Sequence, residues 1–489
     1  MKKFYILLFS FVLIMVGNVG QANAADFSDV NSKHRFYEEM MYLYEGNIIS
    51  GYGDGKFGPD DKVTRGQAAM MIAKSLGLDT TPRDSNFFKD IDKKDRFSGA
   101  IDSAAELEII KGKEDGSFDS DEEVSRGDMA MFIARAFKMT EEEVISFSDV
   151  SLSSRSYSAI RRILTAGIAE GYENGKFGTN DSIKRSDFSA FLARALKEEY
   201  KVPVNVCGYS PQPNTDPNRQ TINCLLTREA LKADVPPEIV KAIATQENGL
   251  WKHFEEDSAD GGIGLMQITL TKGYDVELLH SDLVYNIRAG VDMLNKNFSR
   301  SNLPTVGNKE RHALESWYFA VMAYNGTKAV NSPFVKATGL RNNVDRIIDN
   351  KRIKAAYQES VFSNIRNSFV STYIDSIDMT ADDFIYDGNN NIDFQKSHFP
   401  INGNLKTLSK EMYKSGDDVS YLENGRLRQK PSASSTEIVT TINAPDTTTI
   451  LGGLVYDNSN TNNTFAWYPA KVEKNGKTYY GYISSPNIK

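Results

Sequence analysis

Glu247 stands where a carboxylate is costly. The run Pro236-Pro237-Glu238-Ile239-Val240-Lys241-Ala242-Ile243-Ala244-Thr245-Gln246-Glu247-Asn248-Gly249 reads as a short helix, bounded by the prolines at its start and by Gly249 at its end. Glu247 follows Ile243 by four positions and Val240 by seven, which puts its carboxyl on the apolar, core-facing side. Desolvation there raises the pKa and keeps the group protonated near neutrality, as a general acid for glycosidic cleavage requires. Paired with a buried Arg or Lys, the same carboxylate would be structural only.

A repeated arginine is the second pattern that could do chemistry. Thr64-Arg65-Gly66, Ser125-Arg126-Gly127 and Lys184-Arg185-Ser186 set arginines 61 and then 59 positions apart. The same interval separates Phe27-Ser28-Asp29-Val30, Phe88-Lys89-Asp90-Ile91 and Phe147-Ser148-Asp149-Val150, and each unit holds a glycine-rich turn ending in Phe57, Phe118 or Phe177. Self-similarity at a fixed period marks supersecondary units that bury their faces against one another. Thr64 and Ser125 precede amphipathic runs, with Gln67 or Asp128 three residues on, the spacing of a helix N-cap and its capping-box partner. The arginine then falls in the first helical turn, where the helix dipole disfavours a cation. Three repetitions of a slightly unfavourable choice suggest a ligand, because exposed amides of a helix start plus a guanidinium make a carboxylate site. The alternative is a structural arginine paired with Asp29, Asp90 or Asp149 of a neighbouring repeat. The turns at Asp54-Gly55, Asp115-Gly116 and Asn174-Gly175 lack the ligand series of a calcium loop and read as turns with a left-handed residue.

The array resembles three S-layer homology (SLH) modules, an α-helical repeat trimer. The resemblance implies anchoring to pyruvylated secondary cell-wall polysaccharide, with Arg65, Gly66, Arg126, Gly127 and Arg185 at the pyruvyl carboxylate. In the third copy Lys184 and Ser186 replace the hydroxyl cap and the glycine.

Around Glu247 the chain supplies Gly261-Gly262-Ile263-Gly264-Leu265-Met266-Gln267-Ile268, the segment Ala323-Tyr324-Asn325-Gly326 ending a helical run, and Asn286-Ile287 with Gly290 and Leu294. These residues resemble the soluble lytic transglycosylase family, an α-rich lysozyme-like fold, over roughly residues 221 to 377. The resemblance implies that Glu247 protonates the bond between N-acetylmuramic acid and N-acetylglucosamine, then accepts a proton as the muramoyl C6 hydroxyl closes a 1,6-anhydro ring. Met266 and Gln267 would line the sugar cleft, Tyr324 would orient the charged centre, and Asn248 and Asn325 would contact substrate. The family's Glu-Ser pair is Glu247-Asn248 here. A hydrolytic muramidase would ordinarily use a second carboxylate, for which Glu255, Glu256, Asp257 and Asp260 are candidates, although such a run also reads as a solvated loop. A non-catalytic wall-binding protein that only grips glycan is the rival from another class.

The remaining features bound these readings. Met1-Lys2-Lys3, an uncharged stretch from Phe4 to Ala25 and Ala22-Asn23-Ala24 read as a secretory signal peptide cleaved after Ala24. No later segment approaches the ~18 apolar residues of a spanning helix. Together with the SLH resemblance, this implies export to the cell wall or S-layer of a Gram-positive-type bacterium. The formal net charge of −8 argues against bulk attraction to nucleic acid. Cys207 and Cys224 can pair in an oxidising compartment, at ~3 kcal/mol for such a loop. With five histidines and no His/Cys cluster, neither a metal nor a cofactor is expected. From about Tyr421 short alternating strands, with Asn475-Gly476 as a hairpin signal, resemble a bacterial SH3-like barrel of the kind that binds wall peptides; its aromatics would stack on ligand, or, as the strand spacing of Trp467 favours for that residue, fill the core. The expected order is a signal peptide (1–24), SLH repeats (25–84, 85–144, 145–203), a linker (204–220), a lysozyme-like domain (221–400) and an SH3-like domain (415–489).

Overall fold

The computed structural model describes residues 27–140, 147, 149–172, 176–202, 207, 209, 211–336, 347–348, 352–353, 355–421, 423–434, 436–457 and 463–489. The expected signal peptide and the Asn174-Gly175 turn lie outside the described residues. The helices run in the order α1 (Tyr37–Glu45), α2 (Arg65–Ser75), α3 (Ser98–Glu106), α4 (Arg126–Ala136), α5 (Tyr157–Thr165), α6 (Arg185–Leu196), α7 (Arg219–Lys232), α8 (Pro237–Glu247), α9 (Val276–Ser281), α10 (Leu283–Ser299), α11 (Tyr318–Asn325) and α12 (Tyr357–Ser368). The chain divides into two compact units, one of residues 1–139, 167–170 and 178–202, the other of 140–166, 171–177 and 203–489. The third repeat is thereby split, α6 belonging to the first unit and α5 to the second.

The first unit is a ring of repeats. Val63 N–H donates to Ile183 O at 3.1 Å, Ile183 N–H to Val124 O at 2.9 Å, and Val124 N–H to Val63 O at 2.8 Å. All three side chains are fully buried, so equivalent strand-like residues of each repeat close on one another about a dry axis. From this axis α2, α4 and α6 depart with the caps their sequences dictate. Thr64 and Gln67 form the complete capping box and Ser125 accepts from Asp128 N–H, whereas Lys184 supplies no side-chain cap. The turns behave as read, with Gly55 and Gly116 at φ of +83° and +82°.

In the second unit α7, α8, α10, α11 and α12 wrap one apolar core that includes Val240, Ile243, Leu265, Ile287, Trp317 and Phe362. The expected disulfide between Cys207 and Cys224 is formed and ties the segment before α7 to that helix. Six antiparallel strands follow, in the spatial order Asp418–Val419, Thr447–Ile450, Trp467–Lys474, Lys477–Ser484, Gly425–Arg428, Ile438–Ile442. Lys474 pairs with Lys477 across a two-residue turn whose Asn475 and Gly476 lie at φ of +50° and +73°, the mirror-image turn that suits strand twist. Trp467 is core, 2% exposed. Among the described residues the ladders form an open sheet and do not close into the expected barrel. α5 packs its Arg161 against this region, where a Cβ on Gly452 would lie 1.4 Å from the guanidinium, so a larger residue there would displace the arginine.

Candidate functional site

Pro236 caps α8 and Pro237 opens it, where a missing N–H costs nothing. Every residue from Pro237 to Ala244 is buried, so the helix is held on all sides and its last residue, Glu247, is placed by the body of the helix. Glu247 itself is only half-buried, less enclosed than its spacing implied. Its Oε1 accepts a 2.5 Å hydrogen bond from the hydroxyl of Tyr357, a buried residue in the first turn of α12. The two are 110 positions apart and no spacing rule connects them. A phenol on one carboxylate oxygen fixes the orientation of the carboxyl group.

Tyr324 lies within reach of the Glu247 charge. Its hydroxyl donates to the carbonyl of Met266 at 2.8 Å. Burial, and then the charge of Glu247 nearby, hold the phenol well above its ordinary pKa, so it stays a donor. It thus ties the end of α11 to the loop that carries Met266. Met266 is 1% exposed and packs against Gly290, where a Cβ would lie 2.8 Å from its methyl group. It is therefore a wedge between loop and α10, and its side chain lines no cleft. Gln267 is half-buried with φ of +49°, its side-chain amide donating to Gly264 O at 2.8 Å. Asn286, fully buried on α10, accepts from Met266 N–H at 2.9 Å and donates to Ile263 O at 2.9 Å, which fixes the loop's shape. Beneath it His253 is 2% exposed and burial pushes its pKa down to about 4, so it is a neutral packing group. A Cβ on Gly264 would meet this ring at 2.4 Å. Asn248 folds its amide onto Lys252 O and N–H at 2.9 and 3.1 Å, capping the turn after the helix. Asn325 accepts from the Asn331 amide at 3.1 Å. Glu255, Glu256, Asp257 and Asp260 are all exposed; Asp257 meets His280 and Asp260 accepts from Ser258.

The repeated arginines are buried, Arg65, Arg126 and Arg185 being 6%, 3% and 5% exposed. Each reaches into the turn of the next repeat in the ring and donates to its carbonyls. Arg65 bonds Phe118 O at 2.7 Å and Lys111 O at 3.0 Å; Arg126 bonds Glu170 O at 3.0 Å; Arg185 bonds Phe57 O at 3.0 Å and Ser50 O at 2.8 Å. The expected exposed amides at the helix starts are also engaged. Gly66 N–H donates to Ser120 O, Gly127 N–H to Thr179 O and Ser186 N–H to Pro59 O. The glycine is explained at the first copy, where a Cβ on Gly66 would lie 2.5 Å from the ring of Phe97. The aspartates of the Phe-x-Asp motif are engaged by backbone amides. Asp29 accepts from Phe57 and Gly58 N–H, Asp90 from Phe118 and Asp119 N–H, and Asp149 from Phe177 N–H, each shaping the turn of its own repeat. The arginine thus welds neighbours, and this welding is the reason for a cation at an electrostatically poor position. Arg185 additionally lines a cleft of ≈ 260 Å³ with Tyr52, Gln67, Met70, Lys74 and Arg96. Lys74 and Arg96 are exposed, and nothing in the repeat period marked them.

The family model described as S-layer homology domain matches residues 26–69, 87–130 and 146–189, and that described as transglycosylase SLT domain matches residues 225–343. An endoglucanase of Bacillus sp. (strain KSM-635) is 31% identical over 186 residues, covering 37% of this chain and 19% of that protein. A cell surface protein of Thermoanaerobacter kivui is 28% identical over 202 residues, covering 40% of this chain and 25% of that protein. A cellulosome-anchoring protein of Acetivibrio thermocellus is 28% identical over 182 residues, covering 33% of this chain and 40% of that protein. The chain therefore spans less than half the length of each of these relatives.

Proposed function

Because the chain carries three S-layer homology domains and a transglycosylase SLT domain, we propose that it is a cell-wall-anchored enzyme that cleaves peptidoglycan glycan strands as a lytic transglycosylase. One observation carries the reading: Glu247, at the end of a helix buried from Pro237 to Ala244, is half-open to solvent and oriented by Tyr357. Glu247 protonates the glycosidic oxygen between N-acetylmuramic acid and N-acetylglucosamine as the C1–O bond breaks. The muramoyl C6 hydroxyl then attacks C1, and its proton passes to the Glu247 carboxylate, which is thereby restored. The exposure of all four neighbouring acidic residues, two of them already engaged, favours this internal nucleophile over a carboxylate-assisted water.

Anchoring is proposed at the Arg185 cleft. The guanidinium's Nε and Nη2 are spent on carbonyls, and Nη1, with no partner among the described residues, remains for a ligand carboxylate beside Lys74 and Arg96. Three cations suit a pyruvylated wall polysaccharide. Residues 415–489 retain their reading as an SH3-like module, supported by an apolar core of their own that includes Leu427, Ile450, Val472 and Ile483. Location in the cell wall or S-layer of a Gram-positive-type bacterium follows from the anchoring.

Mass spectrometry of products released from purified peptidoglycan tests the chemistry. Chains ending in 1,6-anhydromuramic acid are expected, and Glu247→Gln should lower release by at least ~10² with folding intact. Ordinary reducing muramic acid would replace the reading by a muramidase. Undiminished cleavage by Glu247→Gln would defeat both.

A further inference from the structure

The helix that carries Glu247 is gripped from behind by the C-terminal part of the chain. Lys241 Nζ lies 2.5 Å from Glu411 Oε2, and neither side chain has any exposed surface. The other oxygen of Glu411 accepts from Ala466 N–H at 2.9 Å and from the Ser485 hydroxyl at 3.0 Å, so it belongs to the sheet region as much as to the helix. One turn earlier on α8, Glu238 accepts from the Ser409 hydroxyl at 2.7 Å and from Lys410 N–H at 2.6 Å. Neighbouring α7 is held alike, Gln220 donating to Asn463 O at 2.9 Å and Asn223 to Phe465 O at 3.1 Å.

Nine positions separate Glu238 from Glu247, two and a half turns at 3.6 residues per turn, so these two face opposite sides of α8, while Lys241 lies about 120° round the helix from Glu247. Buried ion pairs contribute little net stability, since desolvation offsets their attraction. They do specify position: a fully desolvated lysine is satisfied only where its carboxylate stands, and sliding or rotating α8 would strand it. Apolar packing alone tolerates such adjustments far better.

We propose that Glu411 is a positioning residue for Glu247. Together with the Ser409-Lys410 clasp on Glu238 it fixes the register of α8, and the C-terminal sheet thereby forms the back wall of the cleaving domain. This rests on Glu247 being the acid. The test uses the full chain with Glu411→Gln and with Lys241→Met/Glu411→Gln, the latter leaving no buried cation without a partner. Initial rates against glycan-strand concentration are measured together with hydrogen exchange at the amides of residues 244–248. Both variants should lose at least tenfold in kcat with KM within twofold, and exchange at the end of α8 should rise at least tenfold. The double variant should do so while melting within a few degrees of the wild type, which also covers the case in which Glu411→Gln alone fails to fold. Recovery of both wild-type kcat and wild-type exchange in the double variant would overturn the proposal, because the pair would then be a matter of stability alone. Should the wild type cleave no glycan, the proposed function falls, and the exchange at residues 244–248 still decides whether Glu411 sets the helix.

Discussion

Glu238→Gln should flatten the pH dependence of the structure around α8. Glu238 is fully buried, and burial, followed by the nearby Glu411 carboxylate, pushes its pKa from the usual 4.5 up to about 7, against the opposing hydrogen bonds of Ser409 and Lys410. The groups facing it are Glu411, Lys241, Lys410, Tyr413 and Tyr468; burial raises the tyrosines away from the acid range and lowers both lysines, against the carboxylates beside them, and all five groups are kept in Glu238→Gln, so the difference between the two proteins isolates Glu238. The folded protein therefore keeps a proton that the unfolded chain releases near 4.5. The raised pKa contributes stability that is fully present below the unfolded value and is lost as pH rises through about 7. At about 1.4 kcal/mol per pH unit the whole change is worth ~3 kcal/mol. Hydrogen exchange at the slowest amides of α8, converted to opening free energies between pH 4.5 and 8, should show the wild type losing ~3 kcal/mol and Glu238→Gln less than ~1 kcal/mol. Equal slopes in the two proteins would show that Glu238 is ionised in the folded state throughout, and the burial argument would fail.

Tyr357→Phe removes the donor on Glu247 and should lower kcat about 10- to 100-fold, the ~1.5 to 3 kcal/mol of a hydrogen bond to a charged group, with melting unchanged; an unaltered rate would show that the phenol does not orient the acid. Lys74→Ala with Arg96→Ala should weaken co-sedimentation with pyruvylated wall polymer at least tenfold while urea unfolding stays the same, since both side chains are exposed. Full sedimentation by that double variant would remove the cleft as the anchoring site. Arg65→Ala should instead destabilise the repeats by at least ~2 kcal/mol in urea unfolding, because it leaves the carbonyls of Phe118 and Lys111 without their donor. A loss below ~0.5 kcal/mol would contradict the welding role.

What could be read in the sequence was local. The Thr64 and Ser125 caps, the Asn475-Gly476 hairpin and the ends of α8 depend on residues within a few positions of one another, and the structure keeps them. The disulfide was legible because only two cysteines exist to be joined. Partners distant in the chain were not. The repeat period exposed Arg65, Arg126 and Arg185 as special, yet their acceptors are backbone carbonyls up to 135 positions away, and a carbonyl has no residue type to betray it. Met266 sits in a recognisable motif, but only the approach of Gly290 shows that its side chain is buried. Tyr357 and the pair Lys241–Glu411 stand in unremarkable runs and acquire their meaning solely from packing.

The hydrogen-bond circle through Val63, Val124 and Ile183 bears on how the repeats come together. Linear repeat arrays add stability unit by unit and survive truncation. A circle has no terminal unit to spare: the carbonyls of Ser50 and Phe57 in the first repeat wait for Arg185, 128 and more positions downstream. As the chain emerges during synthesis, the first two repeats must remain open at one seam until α6 arrives, and a single proteolytic cut that frees α6 would unseat the others. A ring of this kind forms or fails as a whole, so one cleavage at the α6 seam would undo all three repeats together.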